Sequence, residues 1–168
     1  MFKRMDMSRL EESAVRLIGE DWMLITAGSI GHFNTMTAAW GGLGFLWKKP
    51  TAYVFIRPTR HTFDFAEKND FFTLSFFAEK HRDILQFCGA KSGRNVDKVK
   101  ETGLTPIDFE GKAVYFQQAR LVLICRKNYY QDLDPGKFLD HGIERNYPQK
   151  DYHRMYFGEI IETLQQFD

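Results

Sequence analysis

The sequence predicts a mainly β fold, a small β-barrel with helices at its periphery, and three observations carry that expectation. Apolar runs of strand length outnumber helical stripes, and glycine and proline punctuate them. Aromatic residues make up 15% of the 168-residue chain, with 16 phenylalanines gathered in strand-like runs. No regular βαβ alternation is present, which disfavours Rossmann and TIM architectures.

At this length, with 43% hydrophobic residues, residues 1–168 are the size of one domain and can bury a core. A formal net charge of +1 and a pI near 7.8 provide no concentrated basic face, so no nucleic-acid partner is expected. The N-terminus is charged without an apolar segment behind it, and no run approaches the roughly 20 residues that cross a bilayer. The expectation is a soluble cytoplasmic protein with no membrane partner. Cys88 and Cys125 lie outside any CxxC spacing, so buried reduced thiols are expected, not a redox dithiol or a zinc site.

Along the chain, Ser8-Arg9-Leu10-Glu11 has the capping-box pattern, and Gly19 can end the helix that follows. Residues 22–28 and 51–57 are mostly apolar and bounded by Gly or Pro, the pattern of strands buried on both faces. Between them, residues 34–40 pack small, polar and aromatic groups where a strand is expected to turn, and 41–47 reads as a strand loosened by its glycines. Thr62 is placed to cap a helix running through Phe63, Ala66 and Glu67, with Asn69-Asp70 as its break. In 71–77, Phe72, Leu74 and Phe76 alternate with Thr73 and Ser75, a half-polar strand.

Residues 79–88 set Ile84, Leu85 and Cys88 on one helical face, with Gly89 as a left-handed stop, which makes Cys88 a core residue and not a nucleophile. Residues 113–127 read as the longest strand, with Leu121, Leu123 and Cys125 facing one way and Arg120, Val122 and Ile124 the other. The last strand spans 152–161. Residues 128–150 form a polar and aromatic insert with turn signals at Asp134-Pro135-Gly136 and Tyr147-Pro148, a helix-containing excursion that would serve as a lid or a dimer arm.

Three polar clusters bear chemistry. In the first, Asn34, Thr35, Met36, Thr37, Ala38 and Trp40 offer hydroxyls and amides to the carbonyl and imide edge of a heterocycle, with Met36 or Trp40 over its face; a turn rich in small residues is the alternative. In the second, Arg57 and Arg60 flank a helix start at Thr62, where donors and dipole point toward a phosphate; a solvated loop is the alternative. In the third, residues 88–98, Gly89 and Gly93 let backbone N–H groups converge into an anion nest, with Ser92 as a hydroxyl donor and Lys91, Arg94 and Lys98 as cations. Its spacing is not that of a Walker A loop. Together the clusters outline a ligand with a phosphate at one end and a flat polar ring at the other, as in a mononucleotide. His32, His61, His81 and His141 form no ligand constellation, so no metal site is expected, and Asp132 and Asp134 read as an exposed turn.

Taken in order, NTMTAAWGG, IRPTRHT, FFTLSFF, CGAKSGRNVDK and YHRMYFGEI, spread over roughly residues 22–161, resemble the flavin reductase-like family of FMN-binding split β-barrels, which includes flavoredoxins. The resemblance implies a Greek-key split barrel that binds FMN non-covalently, as a homodimer with the flavin near the subunit interface. It implies that 34–40 lines the isoalloxazine and ribityl chain, while Arg57, Arg60, Thr62, Lys91, Ser92, Gly93 and Lys98 hold the phosphate and ribityl hydroxyls. Asn95 stands where the family motif often carries aspartate, and Ala39 where serine is frequent, so neither is counted as an essential contact. His153 falls where relatives often place a histidine near the flavin or nicotinamide; the alternative is a structural role beside Met155 and Phe157.

The activity implied is transfer of hydride from NADH or NADPH to FMN, and of electrons onward to a flavin, ferric iron, a quinone or a protein acceptor. The alternative is a flavoredoxin-type carrier or FMN-binding protein without its own NAD(P)H turnover. A more distant one is a relative of pyridoxamine phosphate oxidases or haem-degrading split barrels.

Overall fold

Alternate residues of the most apolar strands fall in different hydrophobic clusters, and this explains the architecture. In the computed structural model, which describes residues 1–166, Leu24 and Val122 pack in one cluster while Ile25 and Leu123 pack in the other. Successive side chains of a strand point to opposite faces, so these strands are covered on both sides. The continuous apolar runs in the sequence are the signature of that double burial.

In chain order the elements are β1 (Phe2–Arg4), α1 (Ala14–Gly19), β2 (Met23–Ser29), β3 (His32–Ala38), β4 (Gly41–Leu46), β5 (Lys49–Ile56), α2 (His61–Lys68) and β6 (Phe71–Phe76). They continue with α3 (Arg82–Ala90), α4 (Lys98–Thr102), β7 (Pro106–Phe109), β8 (Ala113–Phe116), β9 (Leu121–Asp132) and β10 (Arg154–Gln166). The main sheet has eight strands in the order β3-β2-β6-β9-β10-β5-β4, with β1 pairing β10, while β7 and β8 form a separate hairpin. Every pairing is antiparallel. The mainly β fold with few helices is the class expected from sequence.

Several local expectations are corrected. Ser8 does not cap a helix: Asp6 accepts from its N–H and draws Met7–Arg9 into a 3₁₀ turn, and Ser13 caps α1 instead. The segment 34–40 is not a turn, because Asn34 to Ala38 pair along β2 and the reversal falls earlier, at Ile30-Gly31, where Gly31 has φ +83°. Thr62 lies inside the first turn of α2, whose N-cap is Arg60 with no side-chain capping bond. The polar side of β6 is not solvated: Thr73 donates to the Val114 carbonyl at 2.6 Å, and Ser75 is buried as well.

The longer elements also differ. α3 runs through Gly89 to Ala90, and the glycine instead permits close packing, since a Cβ there would lie 3.3 Å from Thr37 Cβ. The run 113–127 is two strands, broken where Arg120 turns out to pair with Glu12 and Asp21. β9 extends to Asp132 and β10 begins at Arg154, so the insert starts later than expected and holds only 3₁₀ turns, at Pro135–Lys137 and His141–Asn146.

Gly158 of β10 carries a clear steric demand. A Cβ at this position would lie 2.7 Å from the Phe72 ring and 2.9 Å from Cys125 Cβ. Gly158→Ala is expected to destabilise the fold by about 1–3 kcal/mol through overpacking, measured as a lower urea midpoint at unchanged slope; an unchanged midpoint refutes the steric reading.

Candidate functional site

β3 is an edge strand, and its free side is where the polar clusters meet. Thr26 and Thr35 face each other as a non-hydrogen-bonded pair, their hydroxyls 2.9 Å apart, and this register turns the main-chain groups of Thr35 and Thr37 outward. Thr35 Oγ1 also donates to the Ile25 carbonyl, and Thr37 Oγ1 to the Leu85 carbonyl. The two hydroxyls named from sequence are therefore turned into the protein, and only main-chain groups of these residues face outward.

The exposed end of α3 assembles the cations. The last carbonyls of a helix have no partner within it and carry partial negative charge. Lys98 Nζ donates to the Cys88 carbonyl and to the outward carbonyl of Thr35, both at 2.7 Å, and Arg60 Nη1 donates to the Gly89 carbonyl at 3.1 Å. Lys98 is buried, and its pKa falls to about 8 because burial disfavours the ammonium and the Arg60 charge repels it, against the opposing influence of Cys88. Burial raises the Cys88 thiol to about 11, so it remains protonated.

Opposite stands the start of α2. The Asn34 carboxamide, oriented by its hydrogen-bond network, accepts from the Thr62 hydroxyl at 2.7 Å and from the Thr35 and Thr62 N–H groups at 3.3 Å. A Cβ on Gly93 would fall 1.9 Å from that carboxamide, so only glycine lets the 91–98 loop close over it. The result is a cradle of about 90 Å³ lined by Asn34, Arg60, Thr62, Lys91, Ser92, Gly93 and Lys98. The Ser92 hydroxyl accepts from the Arg94 N–H at 3.3 Å, and the exposed Lys91 side chain has no partner among the described residues. Arg94 itself is held by Asp64 and the Thr59 carbonyl.

Two further hollows adjoin the cradle. One, of about 160 Å³, is lined by Met36, Thr37, Ala38, Trp40, Phe55, Arg60 and His153. The other, of about 650 Å³, shares Asn34, Gly93 and Lys98 with the cradle and extends past Thr35 toward Asn95, Val99 and Pro106. Each cofactor-binding candidate from the sequence lines one of the three hollows.

Arg57 needs a correction. It borders the smaller hollow, but its guanidinium is committed to the insert: Nη1 pairs with Asp151 at 2.7 Å, Nη2 donates to the Asn146 carbonyl at 2.7 Å, and the group lies 4.8 Å over the Tyr147 ring. Its sequence position beside Arg60 could not reveal partners some ninety residues away. Tyr147, missed as a site residue, shares a 2.8 Å hydrogen bond with His153 Nδ1, and the His153 ring lies 5.1 Å from Trp40. Burial first, then the Arg57 charge, lower the His153 pKa to about 4, so the imidazole is neutral near pH 7.

Residues 15–163 match the family described as flavin reductase like domain. No curated protein matches the sequence significantly. Among solved structures, an FMN-binding domain of flavin reductases-like enzyme from Shewanella baltica OS155 is similar, with 17% identity and a TM-score of 0.71 over 98% of this chain and 77% of that one. Flavoredoxin of Desulfovibrio vulgaris (Miyazaki F) is 20% identical, with a TM-score of 0.69 over 96% and 77%. An NADH:FAD oxidoreductase of Streptomyces globisporus C-1027, in complex with NAD and FAD fragments, is 14% identical, with a TM-score of 0.64 over 87% and 74%. These likenesses are in fold, the split barrel expected from sequence.

Because the His153 imidazole is neutral when folded, its NMR signals are expected to stay constant from pH 8 to about 5 and to move only near pH 4. An unfolded histidine takes its proton near 6.5, so the unfolded chain binds more protons across this window and stability falls as pH drops through it. A folded-state midpoint near 6.5 would refute the assignment.

Proposed function

The chain belongs to the flavin reductase-like domain family, and we propose that it is an FMN-binding oxidoreductase that accepts hydride from NADH or NADPH and delivers electrons to a flavin, iron, quinone or protein acceptor. The observation that carries this reading is the cradle itself: a buried ammonium and a guanidinium, both anchored on the end of α3, face the start of α2, whose N-cap Arg60 makes no side-chain capping bond. The two cations converge there on a space of about 90 Å³, the kind of setting that suits a phosphate. Among the described residues only one acceptor holds the Arg60 guanidinium, and Lys98 keeps one N–H beyond its two carbonyl partners.

In this reading Arg60, Lys98, Lys91 and the Ser92 hydroxyl hold the phosphate, and Asn34, fixed by Thr62, borders the ribityl chain. The outward main chain of Thr37 meets the polar edge of the ring, while that of Thr35 is taken up by Lys98 and Asn34; Met36, Ala38 and Trp40 border the ring faces, and Gly93 provides close approach. His153 offers a neutral imidazole beside the same hollow, kept in place by Tyr147. Arg57 acts indirectly, by holding Asp151 and the insert against the site. Bound FMN would supply the redox chemistry; the protein orients it and sets its hydrogen bonds.

A cytoplasmic homodimer belongs to the same proposal. Trp47 and Tyr129 are exposed beside Tyr53 and Phe157 on one sheet face, and large aromatic side chains of this kind are enriched at protein interfaces. Sedimentation at twice the chain mass supports it, and sedimentation at the single-chain mass does not. The likeness to a flavoredoxin supports the second reading, an electron carrier that turns over no nicotinamide. Anaerobic mixing with NADH or NADPH separates the two: prompt bleaching of the flavin band is expected for the reductase, and a stable band identifies the carrier.

Two measurements test the cradle. Arg60→Ala is expected to weaken FMN binding by about 10- to 100-fold, the worth of a charge-assisted hydrogen bond, and unchanged affinity at several salt concentrations argues against the assignment. An anion stabilises the Lys98 ammonium, so binding takes up a proton above the free-state pKa of about 8. FMN affinity is therefore expected to be level between about pH 7, above the second phosphate pKa near 6, and pH 8, and to fall above that by up to about tenfold per unit. Lys98→Arg, which stays charged, should remove that decline, and a decline that persists refutes the role of Lys98.

A further inference from the structure

We propose that Tyr147, carried by the insert, is a positioning residue for His153: it holds the imidazole in the Nε2–H tautomer, so that the smaller hollow presents a neutral hydrogen-bond donor, and not a base, to an acceptor atom of its ligand. The tautomer belongs to the free chain. Only the identity of the ligand rests on the reading that a flavin ring lies in this hollow.

Each partner in the pair holds one proton. Tyr147 Oη and His153 Nδ1 are 2.8 Å apart, and the two residues are 5% and 8% exposed. Burial holds the Tyr147 phenol above its ordinary pKa, so the hydroxyl stays protonated, while the imidazole is neutral near pH 7. If Nδ1 held the imidazole proton and donated it to the phenol, the hydroxyl proton would need a second acceptor, and Tyr147 Oη has no other partner among the described residues. A buried donor without an acceptor is costly. The phenol therefore donates to Nδ1, and the imidazole proton sits on Nε2. The Arg57 guanidinium, 4.8 Å over the Tyr147 ring, favours this direction, because a cation draws electron density from the phenol and makes it the better donor, against the opposing influence of Asp151.

Nε2 is what remains for a ligand. It has no partner among the described residues, yet it is not sealed in protein, because Ser75 Oγ is the one fully enclosed side-chain polar atom left without a partner there. His153 lines the hollow of about 160 Å³, its ring 5.1 Å from Trp40 and 6.1 Å from Phe55. Of the other polar side chains on that wall, Thr37 donates to the Leu85 carbonyl, and Arg57 is committed to Asp151 and the Asn146 carbonyl. His153 is thus the buried, uncharged donor of the hollow, and such a group among aromatic walls suits a carbonyl oxygen or a ring nitrogen better than an anion. The contacts of Arg57 that hold the insert in place also hold this tautomer.

Proton–nitrogen correlation spectra of the histidine side chains, recorded on the flavin-free full chain at pH 7, test the tautomer. His153 is expected to show a protonated Nε2 and a bare Nδ1. Tyr147→Phe is expected to move the Nδ1 resonance and to let the second tautomer appear, with the amide resonances of β2 and β6 unchanged as the check on folding. With FMN as the probe, His153→Leu is expected to weaken binding by about 2- to 10-fold, the worth of one neutral hydrogen bond, and His153→Gln, which keeps an amide N–H for the ligand, to lose less. A protonated Nδ1 in the unaltered chain overturns the proposal, as does an Nδ1 resonance that Tyr147→Phe leaves unmoved or an equal loss in the two His153 variants. If FMN does not bind the unaltered chain, the cofactor reading falls, and the tautomer measured in the free chain still decides the role of Tyr147.

Discussion

A buried ammonium on the free edge of the sheet is the constraint around which the site is organised. Lys98 Nζ lies between the Thr35 carbonyl of β3 and the Cys88 carbonyl of α3. An ammonium removed from water costs several kcal/mol unless its protons find acceptors. Both acceptors exist for structural reasons: Thr35 belongs to an edge strand with no further strand beside it, and Cys88 lies in the last turn of its helix. The same helix end holds Arg60 through Gly89, so one negative dipole terminus brings two like charges together. In the proposed reading, two cations so fixed, with donors still open, would hold an anion better than mobile surface lysines, because little entropy remains to be lost on binding.

A second network joins the distant parts of the chain to this edge. Arg57, at the end of β5, holds Asp151 and the Asn146 carbonyl and lies over Tyr147, which in turn bonds His153. The insert is thereby tied down by charge and aromatic contact where it has no regular ladder to join. Its position also explains why His153 is neutral, since the ring is enclosed by Trp40, Phe55 and Tyr147 with a guanidinium nearby.

Much of the fold was legible because its strands are buried on both faces, and runs such as 22–28 and 51–57 then have no other plausible use. Boundaries were legible at Gly19, which ends α1, and at Asn69, where α2 stops. They were not where a residue had two uses. Gly89 reads as a helix stop, yet it is helical and makes room for Thr37. Ser8 fits a capping box, but Asp6 accepts its N–H first and Ser13 takes the role. The uniform apolar alternation of 113–127 conceals a break between strands of two different sheets, because Arg120 continues the pattern in the sequence while its side chain turns out to meet Glu12 and Asp21.

For the site, local composition was enough to mark the three clusters, since phosphate recognition calls for cations, small residues and a helix start close together in sequence. Those features are local and therefore visible in the amino-acid order. Which atoms face a ligand is not local. The Thr35 and Thr37 hydroxyls turn inward because β2 and α3 lie on that side, Arg57 turns away because the insert brings Asp151 to it, and Lys98 turns in because two unpaired carbonyls await it. Residue types and their spacing established what chemistry is available along this edge. Long-range packing, which sets the direction of each side chain and the acceptors it meets, established which groups remain free to carry it out.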